Sequence, residues 1–305
     1  MQALAALALS VMALAACGAP GTGLTGHVAV DGSSTVFLIT EAVAEEFRLT
    51  EEPGVRTTVG VSGTGGGFKR FCAGETDIAD ASREITRSER EACVRNAIAY
   101  LELQIALDGL SVVVNPRNTF VDYLTVAELR RIWEPGSRAS RWNQVRPHWP
   151  DARIVLFGPD TESGTFDYFT EVINGKAGAT RADYTASADD NVLVQGISGE
   201  RYALGYFGYG YYQENRDKLR VVPVDPGDGR PVLPTPASIT DGIYHPLSRP
   251  LLIYVNRASL EKPAVSAFVR FYLTAAGELA PQVGYLPLPK ARYDEQLAGL
   301  PGAGA

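Results

Sequence analysis

Three times along the chain, a short stretch rich in β-branched or aromatic residues passes through a small polar cluster into apolar residues at helical spacing. The stretches are 27–31, 57–61 and 153–157, compositions that favour strands. The clusters are Gly32-Ser33-Ser34-Thr35, Ser62-Gly63-Thr64 and Ser163-Gly164-Thr165. After them come Val36, Ile39, Val43 and Phe47; then Phe68, Phe71 and Cys72; then Phe166, Phe169, Val172 and Ile173. Such spacing predicts amphipathic helices that begin at each cluster.

The alternation continues. Strands are predicted over 103–107, 110–114, 203–207, 219–224 and 251–255, with helices over 126–133 and 264–274. Thr125 and Glu128 form a capping box for the first of these helices. This order predicts an α/β fold with largely parallel sheets flanked by helices. Segments 108–115 and 249–256 resemble one another, each a run of Leu, Val or Ile ending in Asn. They read as two crossings of a hinge, with 27–112 plus 250–300 in one lobe and 113–249 in the other. The Pro- and Gly-rich stretch 225–238 reads as a surface loop. The aromatic run 206–212 reads as lobe packing with some hydroxyls at the surface, the alternative being a stacking platform.

Composition supports this picture and narrows the ligand. With 305 residues, 45% of them hydrophobic, the chain can bury a sizeable core. The net charge is −7 and no basic stripe is present, which argues against a nucleic-acid partner. Any attraction for an anion must be local.

The first sixteen residues are apolar and uncharged, too short to cross a bilayer, and end Leu14-Ala15-Ala16 before Cys17. They read as a signal peptide over 1–16 closing on a lipobox, with lipid attached to Cys17 and a flexible tether over 17–26. No basic residue follows Met1, and a buried N-terminal helix is the alternative. Cys72 and Cys93 are the other two cysteines. In an oxidising exported location they are expected to pair, two free buried thiols being the alternative.

The candidate chemistry lies in Gly60-Val-Ser-Gly-Thr-Gly-Gly-Gly-Phe-Lys-Arg70. Glycine lets a ligand approach the backbone, Ser62 and Thr64 offer hydroxyls, and a helix start adds unpaired N–H groups with a positive dipole end. No dinucleotide fingerprint or phosphate-loop lysine accompanies the run. If the three helix starts converge, many neutral donors meet one small oxyanion; the alternative is three separate N-caps. An enzyme is not expected. Gly60-Val-Ser62-Gly-Thr64 fails the nucleophile-elbow pattern and Ser163 follows Thr161. The three histidines, beside prolines or on a strand, make poor general bases, and no metal-ligand spacing or cofactor motif occurs.

Five segments, in order, carry a family resemblance. They are Asp31-Gly-Ser-Ser-Thr-Val36, the run from Gly60 to Lys69, Asp77-Ile-Ala-Asp-Ala-Ser-Arg83, Gly158-Pro-Asp-Thr-Glu-Ser-Gly-Thr-Phe166 and Ala203-Leu-Gly-Tyr206. Together they resemble the phosphate-binding proteins of the high-affinity phosphate ABC transporter. The resemblance implies a monomeric, extracytoplasmic, two-lobed receptor of the periplasmic binding type, which hands inorganic phosphate to a membrane permease. It implies ligand contacts at Ser34, Thr35 and the Val36 N–H; at Thr64 and Gly65; at Ser82; and at Ser163, Gly164 and Thr165. Two family features are displaced. Pro159 stands where an arginine is usual, and Ser82 where a carboxylate accepts the ligand's proton. Arg83 is the expected substitute for the first, and Asp80 or Asp160 for the second. Sulfate, molybdate and arsenate are the alternative ligands; a non-transport surface lipoprotein and a hydrolase are further ones.

Overall fold

Alternation of side chains along the strands explains the layering. The computed structural model describes residues 23–161 and 163–302; the signal peptide and Cys17 lie outside these residues. In chain order the elements are β1 (Gly26–Gly32), α1 (Ser34–Thr50), β2 (Val55–Gly60), α2 (Gly63–Cys72), β3 (Ile78–Ala81), α3 (Arg87–Arg95) and β4 (Tyr100–Val114). Then follow β5 (Leu124–Thr125), α4 (Val126–Trp133), α5 (Trp142–Val145), β6 (Val155–Pro159), α6 (Gly164–Asn174), β7 (Thr185–Ser187), α7 (Asp190–Gly199), β8 (Ala203–Gly208) and α8 (Tyr209–Glu214). The chain ends with β9 (Arg220–Val221), β10 (Val224–Asp225), α9 (Pro236–Thr240), β11 (Ser248–Asn256), α10 (Pro263–Gln282) and α11 (Lys290–Ala298).

One mixed sheet runs through the molecule in the order β2-β1-β3-β11-β4-β8-β6-β7, with β9 on β4. On β3 and β11, Ile78 and Ile253 face one core while Ala79, Leu252 and Tyr254 face another, as a period of two requires. The first core takes α1 and α10, where Phe47 meets Phe268 edge-on at 5.5 Å. The second takes α2, where Phe68 meets Tyr254 at 4.8 Å. The other half repeats the scheme: Tyr206 of β8 stacks on Phe169 of α6 at 3.6 Å, and Phe157 and Phe207 pack with α7 on the opposite face. Each half is therefore three-layered, and the molecule as a whole is two-lobed.

The pairing within each lobe is parallel, β1 with β2 and β3, and β6 with β7 and β8. The strands between are antiparallel, β11 with β3 and β4, and β4 with β8, so the sheet is mixed rather than largely parallel. The expected strands 103–107 and 110–114 form a single fifteen-residue strand, β4. Its first part pairs with β11 and its end, from Leu110, with β8; the change falls beside the Asp108↔Arg249 register. The expected strand 219–224 breaks into β9 and β10. Helix 126–133 and its capping box form as expected, with Glu128 N donating to Thr125 Oγ1 at 3.0 Å. Cys72 and Cys93 are disulfide-bonded, tying α2 to α3.

Candidate functional site

α1, α2 and α6 begin where β1, β2 and β6 end, because a chain leaving a parallel strand must turn at the carboxyl edge of the sheet. The turns are tight. Gly63 takes φ +75°, open to glycine at little cost. A Cβ on Gly67 would lie 2.6 Å from the Cα of Gly32, so α2 seats directly on the end of β1. Asp31 ties these two starts together, accepting from the Ser62 N–H at 3.1 Å and from the Arg70 guanidinium.

A cavity of about 510 Å³ opens between the lobes, bordered by Ser33, Ser34, Thr35, Gly63, Thr64, Gly65, Ser82, Arg83 and Gly164. Seven of the expected contacts thus meet at one place. Ser33 and Ser62, the N-caps of α1 and α2, make no side-chain capping bond, leaving those helix ends free for a ligand. Thr64 Oγ1 lies 3.2 Å from Ser82 Oγ and accepts from the Ser82 N–H, linking β3 to α2. Thr35 is buried and touches Gly164: an added Cβ on Gly164 would come within 2.6 Å of Thr35 Oγ1. That contact joins the two lobes. The Thr35 carbonyl also accepts from Tyr285 at 2.8 Å.

Other expected contacts stand elsewhere. Ser163 spends its hydroxyl on its own helix, accepting from Thr165 N and Phe166 N at 3.2 and 3.4 Å. Ser163 and Thr165 border a second cavity of about 420 Å³, with Asp108 and Tyr285 in its wall. The Val36 side chain is buried in the core. Asp80 does not reach the cavity. Its carboxyl group is wholly buried, with Oδ2 accepting from Thr40 Oγ1 at 2.8 Å and Oδ1 unpartnered among the described residues. Burial, reinforced by the charge of Asp31 and opposed by the Thr40 bond, pushes it up to about 8. Asp160 is also outside the cavity wall, in the turn before α6, where its carbonyl accepts from Ser163 N. Arg83 does border the cavity, forked onto Glu89 by bonds of 2.9 and 2.8 Å.

The wall also holds charged groups that the sequence reading missed. Glu84, Asp167, Glu171 and Arg249 all line it, as does Tyr168. Gly164, Asp167, Tyr168, Glu171 and Val172 are spaced i, i+3, i+4, i+7 and i+8, one helical face, so continuing the Gly164 face along α6 would have found them. Asp167 is pushed up, chiefly by burial and further by Glu171, against the pull of Arg249. Arg249 had a fainter signal, a charge opening the second of the two look-alike segments as Asp108 opens the first.

Residues 18–276 match the model of the PBP superfamily domain. The chain is 49% identical over 291 residues to "Protein SphX" of Synechocystis, covering 94% of this chain and 85% of that protein. It is 40% identical over 292 residues to "Phosphate-binding protein PstS" of Staphylococcus saprophyticus, covering 94% and 89%. Among solved structures, "a possible phosphate binding protein" from Planctomyces limnophilus superposes with a TM-score of 0.88 at 52% identity, covering 92% of this chain and all of that one.

Proposed function

Because this chain belongs to the PBP superfamily and matches SphX and PstS proteins over nearly its whole length, we propose that it binds inorganic phosphate between its lobes and delivers it to an ABC transporter permease. One observation carries this reading: two uncapped helix starts and the hydroxyls of Ser34, Thr35, Thr64 and Ser82 converge on one interlobe cavity, closed from the far side by Gly164. Neutral donors and helix ends hold a small multivalent anion without chemistry. The protein acts as a receptor, not an enzyme.

The N–H groups of Val36 and Gly65 complete the lobe 1 contacts, and Arg83 adds charge shared with Glu89. Lobe 2 contributes the start of α6; Ser163 and Thr165 join the anion if their hydroxyls turn from the second cavity on binding. Asp167 takes the part expected of Asp80 or Asp160, because it lines the cavity and they do not. A carboxylate there accepts the proton of HPO₄²⁻ but meets sulfate acceptor against acceptor, which disfavours sulfate.

Residues 27–112 plus 250–300 form one lobe and 113–249 the other, and phosphate draws them together. The protein works as a monomer outside the cytoplasm, anchored through lipid on Cys17 after loss of residues 1–16. No helix among the described residues is long and apolar enough to cross a membrane. Calorimetry with phosphate and with sulfate tests the function. One-to-one phosphate binding with little response to sulfate is the expected result; binding of neither anion refutes the reading.

A further inference from the structure

Arg249 sits where three parts of the molecule meet. It is the second residue of β11, directly opposite Asp108 on β4, at the point where β4 passes from one lobe to the other. Its side chain is 9% exposed and borders the cavity. Nε donates to Asp108 Oδ2 at 3.2 Å. Nη2 donates to Thr35 Oγ1 in one lobe at 2.8 Å and lies 3.4 Å from the Gly164 carbonyl in the other. The guanidinium carbon lies 3.7 Å from the ring centroid of Tyr168, which faces the same cavity. Among the described residues Nη1 meets no acceptor.

Two facts make this arrangement point to an anion. A buried guanidinium beside the positive ends of α1 and α6 is electrostatically unfavourable unless negative charge joins them; Asp108 takes up only one edge of the fork, and Asp167 on the same wall acts on Arg249 through its charge without a hydrogen bond among the described residues. Thr35 Oγ1, in accepting from Arg249, has its own proton left to donate, so Arg249 aims that hydroxyl as well as adding charge.

We propose that Arg249, on the hinge strand rather than on a loop of either lobe, is the cation that grips the bound oxyanion and couples that grip to lobe closure. The proposal rests on the oxyanion-receptor reading above. Nη1 donates to a ligand oxygen while Nη2 holds Thr35 and Gly164 side by side, so the contact that reads the ligand also spans the two lobes. The planar fork does this and an ammonium group does not, because a single point charge cannot serve the ligand, Thr35 and Asp108 at fixed angles.

The test uses the full-length chain in mild detergent, with inorganic phosphate as the probe in calorimetry and small-angle scattering for compaction. Arg249→Lys keeps the charge beside Asp108 and is expected to lose at least tenfold in phosphate affinity, with a reduced phosphate-induced compaction. Because Arg249→Gln alone would leave Asp108 buried without its cation, it is combined with Asp108→Asn; this neutral pair is expected to lose at least a hundredfold. Phosphate affinities within twofold of the parent in both variants would overturn the role of Arg249 while leaving the receptor intact. A parent chain that binds no phosphate would overturn the receptor reading and this proposal with it.

Discussion

Replacing Gly164 with alanine separates folding from ligand-driven closure, because the substitution acts with opposite sign on the two. Gly164 is the first residue of α6, where alanine is the better helix former by less than the roughly 1 kcal/mol of a helix interior, so each lobe by itself should hold or slightly gain stability. Across the cleft the added methyl has no room. It would stand 2.6 Å from Thr35 Oγ1, 3.1 Å from Thr35 Cα and 3.2 Å from Thr35 N, where unstrained contacts lie near 3.5–4 Å. Two of these three atoms belong to backbone fixed at the start of α1, so the hydroxyl can rotate away but the helix cannot. Closing against them should cost about 1–3 kcal/mol, the range for overpacking a tight site. At 1.4 kcal/mol per decade this weakens phosphate binding about 5- to 150-fold. Calorimetry gives the affinity, and a melting curve without phosphate gives the fold. Affinity within twofold of the parent, at an unchanged melting temperature, would refute the claim that Gly164 meets Thr35 when ligand is held.

Three further outcomes are expected. Asp80 keeps its proton to about pH 8 in the native state against 3.8 in the unfolded chain, so the native state binds the extra proton and stability falls as pH rises through that window. Asp80→Asn should remove up to about 4 kcal/mol of the loss between pH 5 and 8, read from urea midpoints; an equally steep decline in the variant argues against a buried neutral carboxyl. Asp167→Asn should raise sulfate affinity at least fivefold, because the charge that repels an unprotonated anion is gone; titrations in which sulfate binding stays as weak as in the parent would remove Asp167 from selectivity. Breaking the Cys72–Cys93 bridge, of sequence separation 21, by Cys93→Ser should cost about 3 kcal/mol from loop-closure entropy; a denaturation midpoint that does not move under oxidising conditions counts against it.

What could be read along the chain was what short-range physics specifies. The helix at 126–133 announced itself because a capping box needs only residues three apart, Thr125 and Glu128. The starts of α1, α2 and α6 were legible for the same reason: glycine, hydroxyl and strand propensity all act within a few residues. The hydroxyls of Ser34, Thr35 and Thr64 were named from those local signals and that of Ser82 from the family resemblance, and all four border the interlobe cavity.

Which groups face the cavity was decided only by the tertiary structure. Ser163 and Ser62 hold the same place in the Ser-Gly-Thr twins, yet one caps its own helix and the other makes no capping bond. Asp80 and Asp167 differ in the same way, since one ends up beneath α1 against Thr40 and the other on the cavity face of α6. Arg249 is the extreme case. It lies 214 residues from Thr35 and 141 from Asp108; the antiparallel register of β11 on β4 sets it opposite Asp108, and pairing of β11 with β3 and of β3 with β1 brings up the start of α1. Local propensity sets where a helix begins and which donors it carries; the direction in which a side chain points across a cleft depends on strand pairing between distant parts of the chain, which no short window of sequence contains.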